Sequence, residues 1–161
     1  MEFSAAGRRQ MNEAIKIRQA DVGDADVIRA LTREAYGKWI AVIGREPLPM
    51  SADYQKALKN HRFDLLFLDE KLAALIETIS HDDHLLIENV AVSPSCQGQG
   101  LGRILLDHAE HLAGSLGYSE IKLYTNKLFA ENLSFYDHLG YRVEREEKTM
   151  NGICVHMNKF I

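Results

Sequence analysis

One stretch near the middle of the chain constrains the fold more than any other, because a β-branched strand ends there in a glycine-dense loop that runs directly into a helix. The stretch reads Val90-Ala91-Val92-Ser93-Pro94-Ser95-Cys96-Gln97-Gly98-Gln99-Gly100-Leu101-Gly102-Arg103. Glycine lets the backbone approach a ligand closely, and the free N–H groups at a helix start favour an anion, as does the positive end of the helix dipole. The stretch therefore predicts a cradle for a phosphate or pyrophosphate group.

Two other phosphate-binding loops do not fit these residues. A Walker loop requires Lys and then Ser or Thr after its last glycine, whereas Gly102 is followed by Arg103 and Ile104. A dinucleotide fingerprint that starts at Gly98 and Gly100 would need a glycine where Arg103 stands, and no series of βαβ units surrounds it. A glycine-rich turn that binds no ligand is the simple alternative.

Length and composition favour one soluble domain. The chain has 161 residues, of which 46% are hydrophobic and 26% charged, and its formal net charge is −4. This charge argues against a general nucleic-acid binder, and no apolar run approaches the roughly 18 residues that a membrane span needs. Cys96 and Cys154 are too few for a disulfide framework, so we expect a reducing cytoplasm. Residues 1–13 are expected to form a mobile tail, with Met11 as an alternative start, and residues 14–161 to form the domain.

Hydrophobic periodicity and turn residues predict the element order β-α-α-β-β-β-α-β-α-β-β, an α+β arrangement with helices around one mixed central sheet. The predicted strands are residues 15–18, 63–68, 72–79, 85–92, 121–125, 141–150 and 153–160, and the predicted helices begin near residues 24, 51, 100 and 131. Asp24 and Ser51 are expected as helix N-caps. Asn151 and Gly152 are expected as the two-residue turn of the last hairpin.

Two motifs resemble those of a known family. The spacing Gln97-x-x-Gly100-x-Gly102 resembles the acyl-CoA pyrophosphate loop of the GCN5-related N-acetyltransferase (GNAT) superfamily, and Asn132-x-x-x-Tyr136 is similar to its second motif, with both side chains on one helical face. The predicted element order also matches the GNAT fold over roughly residues 15 to 160. The resemblance implies an N-acetyltransferase that uses acetyl-CoA and releases CoA.

The resemblance also implies roles for individual residues on the donor side. Backbone N–H groups of the loop would hold the pyrophosphate, the Arg103 side chain would reach a phosphate, and the strand before the loop would pair with the pantetheine arm. Asn132 would hold the cofactor, and Tyr136 would be the general acid for the thioester sulfur, although packing in the core is its alternative role. The expected cofactor-binding residues are Val90, Ala91, Val92, Gln97, Gly98, Gln99, Gly100, Leu101, Gly102, Arg103, Asn132 and Tyr136.

Glu88 is the expected general base. It lies among Leu86, Ile87 and Val90, and this apolar context should raise the pKa of a carboxyl group toward that of a useful base. It would act directly or through a water, and the alternative is a carboxylate that pairs with a cation or binds substrate without proton transfer. Asn89 points to the opposite face of a regular strand, but a bulge would change that.

The acceptor site is expected to come from the region after the first helix and from the end of a later strand. The residues expected to line it are Tyr36, Trp39, Arg45, Met50, Tyr54, Glu88, Tyr124 and Asn126. Core packing is the alternative for Trp39, and pairing with Glu46 is the alternative for Arg45, which would otherwise suit a substrate carboxylate.

We expect a small-molecule primary amine that attacks the thioester directly in a ternary complex. A protein N-terminus or lysine is the alternative acceptor, and a non-catalytic acyl-CoA sensor is the alternative function. The family resemblance further suggests a homodimer, and we expect no nucleic-acid or membrane partner.

The histidines do not predict a metal site. His81 and His84 flank two aspartates in a turn, and His108 and His111 are expected on the exposed side of a long helix. Neither pair has an evident third ligand, so we expect solvated side chains and no metal. Cys96 has no neighbouring histidine in the sequence, so an acyl-cysteine route has no support.

Overall fold

The computed structural model describes residues 14–161, and the predicted tail with Met11 lies outside them. The strands are β1 (Ile15–Gln19), β2 (Arg62–Leu68), β3 (Lys71–Ser80), β4 (Leu85–Val92), β5 (Glu120–Asn126), β6 (Arg142–Thr149) and β7 (Gly152–Phe160). The helices are α1 (Ala25–Tyr36), α2 (Ile40–Ile43), α3 (Tyr54–Asn60), α4 (Leu101–Ser115) and α5 (Ala130–His138). The predicted α+β element order is confirmed, with the four-residue α2 as an addition.

All seven strands form one sheet in the order β1-β2-β3-β4-β5-β7-β6. Neighbouring strands are antiparallel except β4 and β5, which are parallel, so the predicted mixed sheet is confirmed. Helices cover both faces. The apolar stripe of α4, with Leu105 and Leu106 fully buried, packs on one face, and Ile28 and Leu31 of α1 pack on the other. No helix within residues 14–161 is long and apolar enough to cross a membrane.

The parallel pair β4–β5 separates after its first half. Its register joins Leu85, Leu86 and Ile87 to Ile121, Lys122 and Leu123. Beyond these pairs, β4 stays paired with β3 as far as Val92, and β5 stays paired with β7 as far as Asn126. A wedge therefore opens between the carboxyl-terminal halves of the two strands, and one edge of the β4 backbone faces it.

A β-bulge in β4 decides which side chains face this wedge. Glu77 pairs with Asn89 and the next residue of β3 pairs with Ile87, so Glu88 is the extra residue in the ladder. Before the bulge Ile87 packs on the α4 side of the sheet, and after it Val90 does, so the alternation is shifted by one residue. As a result Glu88 and Asn89 line the same cavity. The sequence leaves open whether this strand is regular or bulged, and the structure contains the bulge.

The cap of α3 differs from the prediction. Asp53, and not Ser51, is the N-cap, and its carboxylate accepts a hydrogen bond from the Lys56 N–H at 3.1 Å. At α1, Asp24 holds the N-cap position but makes no side-chain cap bond, because its carboxylate accepts from the Asp21 N–H and pairs with an arginine of β1. The carboxylates of Asp24 and Asp53 both lie near the predicted helix starts. Local backbone geometry decides from which N–H group each of them accepts a hydrogen bond.

The corrected cap leads to a stability prediction. Asp53→Ala should lower the free energy of unfolding by about 1 kcal/mol, because one N–H of the first turn of α3 loses its partner. Ser51→Ala, two residues earlier on the same segment, should change it by less than about 0.5 kcal/mol. Urea unfolding followed by circular dichroism measures both. Equal effects of the two changes would contradict the assignment of Asp53 as the cap.

The turn between β6 and β7 lies one residue earlier than predicted. Gly152 already pairs with Thr149 in the ladder, so Met150 and Asn151 connect the strands. Gly152 has a φ of 107° and provides the left-handed conformation at the start of β7 instead of within the turn. The pairing register between β6 and β7 fixes the position of this turn.

His108 is not on the exposed surface as predicted. Its ring is half-buried, with Nε2 3.4 Å from Oδ2 of Asp64, a buried residue of β2 that also accepts two hydrogen bonds from Arg62. Because α4 packs along the sheet, residues beside its apolar stripe also contact the strands. His111, farther from the stripe, is exposed as expected.

Candidate functional site

Two adjoining cavities lie along the wedge between β4 and β5. The one that we call the loop cavity has a volume of about 350 Å³ and is lined by the glycine-rich loop, the start of α4, α5 and the end of α1. The other, called the strand cavity, has a volume of about 520 Å³ and is lined by β3, β4, β5, β7 and the segment between α1 and α3. Tyr36, Val90, Asn132 and Tyr136 line both cavities. The two spaces therefore meet at these side chains.

The glycine-rich loop has the backbone geometry of an anion cradle. Gly98 and Gly100 have φ values of 78° and 80°, a left-handed conformation that other residues rarely adopt. The first helical hydrogen bond runs from the Ile104 N–H to the Gly100 carbonyl at 3.1 Å, so the three preceding amides, at Leu101 to Arg103, have no intrahelical partner. The Gln97 side chain donates to the Val92 carbonyl at 3.2 Å and fastens the loop to the end of β4.

The other residues expected to bind the cofactor lie around this loop. Gln97, Gly98, Gly100, Leu101, Gly102, Arg103, Val90 and Val92 line the loop cavity. Ala91 is buried in the core on the α1 side, so only its backbone is available to the wedge. Gln99 is half-buried within the loop.

Tyr136 stands where the two cavities join. Its side chain projects from α5, is 9% exposed and packs against the α4-side core. Burial raises the pKa of its phenol to about 12, so the hydroxyl keeps its proton at neutral pH. Asn132, one helical turn earlier, lines both cavities as well. Tyr136 thus places a phenolic proton at the junction.

Three carboxylates line the strand cavity, Glu147 of β6 and the pair Glu77 and Glu88 on the neighbouring strands β3 and β4. Glu88 accepts a hydrogen bond from the Tyr124 hydroxyl. Burial and this carboxylate both raise the pKa of Tyr124, which therefore stays a neutral donor. Glu77 of β3 is 5% exposed, and its Oε2 lies 2.6 Å from Nδ1 of His61. Burial raises the pKa of Glu77, and the hydrogen bond and charge of His61 oppose that rise.

The sequence analysis missed Glu77 and His61. Glu77 is the one charged residue in the run Leu72–Ile79, whose other members are apolar except for Thr78, and this is the signal that could have pointed to it. Its position next to Glu88 depends on the β3–β4 register, and its contact with His61 depends on the end of α3. Neither is a local property of the sequence.

Besides Glu88 and Arg45, four of the expected acceptor residues line the strand cavity and are fixed by hydrogen bonds. The Tyr36 hydroxyl donates to Asn89 Oδ1 at 2.7 Å, and burial raises the pKa of Tyr36 well above its ordinary value. The Tyr54 hydroxyl donates to the Pro49 carbonyl, and burial raises its pKa to about 12. Tyr124 is the third, and Asn126 at the end of β5 is the fourth.

Arg45 reaches across the rim of the strand cavity. Its guanidinium donates to the carbonyl of Asn151 in the β6–β7 turn and to the Glu46 carbonyl at 3.4 Å. The Asn126 side chain approaches the same Asn151 carbonyl at 3.4 Å. The segment after α1 and the last hairpin are thus joined over the cavity, and the carboxylate of Glu46 pairs with Arg33 instead of Arg45.

Trp39 and Met50 lie elsewhere. Trp39 is buried, stacks on Phe129 with ring centroids 4.3 Å apart, and borders the loop cavity. Met50 is buried. The ring of Trp39 therefore borders the loop cavity and not the strand cavity.

A family model described as the acetyltransferase (GNAT) family matches residues 26–141, a span that includes β4, the loop, α4, β5 and α5. The chain belongs to the GNAT acetyltransferase family. This membership supports an acyltransferase activity and confirms the resemblance on which the sequence analysis relied.

Known proteins resemble the chain in sequence or in fold. N-alpha-acetyltransferase 80 of Mus musculus is 34% identical over 71 residues, which are 44% of this chain and 21% of that protein. The match thus spans about a fifth of the relative's length. The PaiA N-acetyltransferase of Thermoplasma acidophilum, solved in complex with coenzyme A, has a TM-score of 0.77 and 21% identity, with 92% of this chain and 99% of that chain covered.

The ribosomal-protein-S18-alanine N-acetyltransferase of Escherichia coli is a further structural relative. Its TM-score is 0.76 at 21% identity, and 92% of this chain and 94% of that chain are covered. At this level of identity the two solved structures establish the shared GNAT fold.

The residues present in this chain fit an acyl-CoA. The free amides at the start of α4 and the Arg103 side chain border a cavity suited to phosphate groups. The edge of β4 that faces the wedge carries backbone groups for an extended arm, and Tyr136 lies at the far end of that path.

Proposed function

We propose that the chain is an N-acetyltransferase that transfers an acetyl group from acetyl-CoA to a primary amine of a small molecule, by direct attack in a ternary complex. The observation that carries this proposal is the junction of two cavities at Tyr136. One cavity has an anion cradle at its end, and the other contains carboxylates suited to an amine. A single site that holds donor and acceptor side by side makes the reaction effectively intramolecular.

On the donor side, the amides from Gln97 to Arg103 and the Arg103 guanidinium would hold the pyrophosphate, and Asn132 would hold the arm of the cofactor. The backbone of Val90-Ala91-Val92 would pair with that arm, and one of its N–H groups would stabilise the negative charge on the carbonyl oxygen. Acetyl-CoA supplies an activated thioester carbonyl.

On the acceptor side, Glu88 would accept a hydrogen bond from the amine, directly or through a water, while Tyr124 holds its carboxylate in place. The Tyr136 hydroxyl would give its proton to the departing sulfur. Cys96 is 2% exposed and packs in the α4-side core, which favours direct attack over an acyl-cysteine.

The contact between Arg45 and Asn151 over the strand cavity supports a small acceptor, because it narrows the path that an extended polypeptide would need. A protein N-terminus is the second candidate acceptor. The resemblance to N-alpha-acetyltransferase 80 and to the S18-alanine enzyme favours it. A cytoplasmic location, a homodimer and the absence of a nucleic-acid partner stay predictions.

The test is release of the CoA thiol from acetyl-CoA with a panel of amino sugars, polyamines, amino acids, aminoglycosides and short peptides. We expect turnover with one class of small amine and little with peptides. Turnover with peptides alone would replace the small acceptor by a protein N-terminus or lysine. Tight cofactor binding without turnover across the panel would favour the sensor function instead.

A further inference from the structure

A buried pair of side chains in the strand cavity has no role in the chemistry described above. Glu77 lies opposite Asn89 and beside the bulged Glu88, so two carboxylates from neighbouring strands border one space. His61, between α3 and β2, borders the same cavity, and its side chain is 27% exposed. Because Nδ1 faces Glu77 at 2.6 Å, only the Nε2 side of the ring is left to contact water.

The reaction needs a group with the properties of this pair. A primary amine has a pKa of about 10.4 and is protonated at neutral pH, so it has no lone pair for attack until it loses a proton. A general base works best when its own pKa is near the working pH. Burial raises the pKa of Glu77, the nearby charge of Glu88 adds to the rise, and His61 limits it. A buried carboxylate with a single hydrogen-bonded partner is suited to gaining a proton.

We propose that the Glu77–His61 pair receives the proton that the acceptor ammonium loses before attack, while Glu88, held by Tyr124, binds the nitrogen. In this step an N–H bond of the ammonium breaks, its electron pair stays on nitrogen, and the proton passes to a Glu77 oxygen directly or through one water. Nδ1 of His61 then takes this proton from Glu77 while Nε2–H releases one proton to solvent, so the carboxylate is restored and one proton leaves the site. The inference rests on the proposed acetyl transfer and names the proton acceptor of that same site.

The pH dependence of the transfer tests this assignment. The titratable groups that act on or near Glu77 are His61 before β2, Glu88 on β4, Tyr36 on α1, Tyr54 on α3 and Tyr124 on β5. The tyrosines are neutral throughout the working range because their pKa values are raised. The acid limb of kcat/KM should therefore follow Glu77, as modified by His61 and Glu88.

Three variants should move this limb in different ways. His61→Asn removes an interaction that lowers the pKa of Glu77, so the limb should move to higher pH. Glu88→Gln removes a charge that raises the pKa of Glu77, so the limb should move to lower pH while KM for the amine rises. Glu77→Gln should remove the limb and lower the plateau by about 100-fold. If Glu88 were the base instead, Glu88→Gln would remove the limb and His61→Asn would leave it in place.

A second measurement, which needs no cofactor, complements the kinetics. The carboxyl carbon of Glu77, followed by NMR in the free protein, should titrate above the usual range for glutamate, and higher still in His61→Asn. A titration in the usual range, unchanged by His61→Asn, would overturn the proposal. This measurement does not depend on knowing the acceptor.

His84→Asn is the matched control. It removes a contact of the same kind, from Nδ1 to the Asp83 carboxylate at 2.6 Å, in an exposed turn outside both cavities. Its pH profile should overlay that of the unmodified protein. Thermal unfolding and CoA binding of each variant report whether it folds. Transfer whose acid limb is unmoved by His61→Asn overturns this assignment alone, whereas no transfer to any amine or peptide by the unmodified protein overturns the proposed function as well.

Discussion

Replacing Tyr136 by phenylalanine is expected to slow thiol release about 10²- to 10⁴-fold while leaving the affinity for acetyl-CoA nearly unchanged. This loss of rate is the size expected when the general acid of a reaction is removed. The phenol is buried at the junction of the two cavities and keeps its proton at neutral pH, so it can protonate the leaving sulfur. Phenylalanine keeps the ring and its contacts with Phe135 and Tyr141, so the fold and the cofactor path should persist.

Tyr141→Phe is the control for this change. Tyr141 is also a fully buried tyrosine of the α4-side core with a raised pKa, and its hydroxyl lies 3.4 Å from a carboxylate of Glu110, away from both cavities. Its removal should cost about 1 kcal/mol of stability and leave the rate intact. Stopped-flow or colorimetric thiol detection and isothermal titration with CoA measure the two quantities. An equal loss of rate and affinity in Tyr136→Phe, or no loss at all, would contradict its role as the acid.

Gly98→Val is expected to weaken CoA binding between about tenfold and a hundredfold. At a φ of 78° a β-branched residue costs about 1–3 kcal/mol, and the loop relieves this strain by leaving the conformation that presents its amides. Each 1.4 kcal/mol that CoA binding must supply to restore the loop lowers affinity about tenfold. No atom lies within 4 Å of a Cβ added there, so the effect comes from the backbone and not from a clash.

Gly117→Val separates this effect from a general loss of stability. Gly117 has a φ of 88°, follows the end of α4, and likewise has open space around an added Cβ. The substitution should destabilise the fold by a similar amount but leave CoA affinity unchanged, because residue 117 borders neither cavity. Titration calorimetry below the unfolding range measures both proteins. A CoA affinity of Gly98→Val equal to that of Gly117→Val would contradict the anion cradle.

Local patterns predicted most of the fold and the positions of the glycine-rich loop and of the Asn132–Tyr136 pair. The alternation in β4, the helical spacing of Leu101, Leu105 and Ala109, and the glycines of the loop each depend on residues close together in the chain. The pair Asn132 and Tyr136 shares a helical face for the same reason. These features could be predicted because each is determined within one strand, loop or helix and the connection to the next.

The failures of prediction arise from local backbone geometry at the cap of α3 and elsewhere from contacts between separate segments. The cap of α3 and the turn before Gly152 were displaced because backbone geometry and ladder register chose between adjacent residues. His108 was misplaced because the packing angle of α4 brings one flank of the helix onto β2. A hydrophobic pattern specifies which stripe of a helix is buried, but not how far its flanks reach.

By itself, the sequence determined the element order, the position of the glycine-rich loop and the tyrosine of α5, since short-range periodicity and glycine geometry suffice for these. Only the tertiary structure decided the acceptor half of the site. Three features each depend on residues distant in the chain. They are the bulge that directs Glu88 and Asn89 into the same cavity, the contact of Glu77 with His61, and the hydrogen bond from Arg45 to Asn151. Strand register and loop packing bring them together, and no local pattern encodes either one.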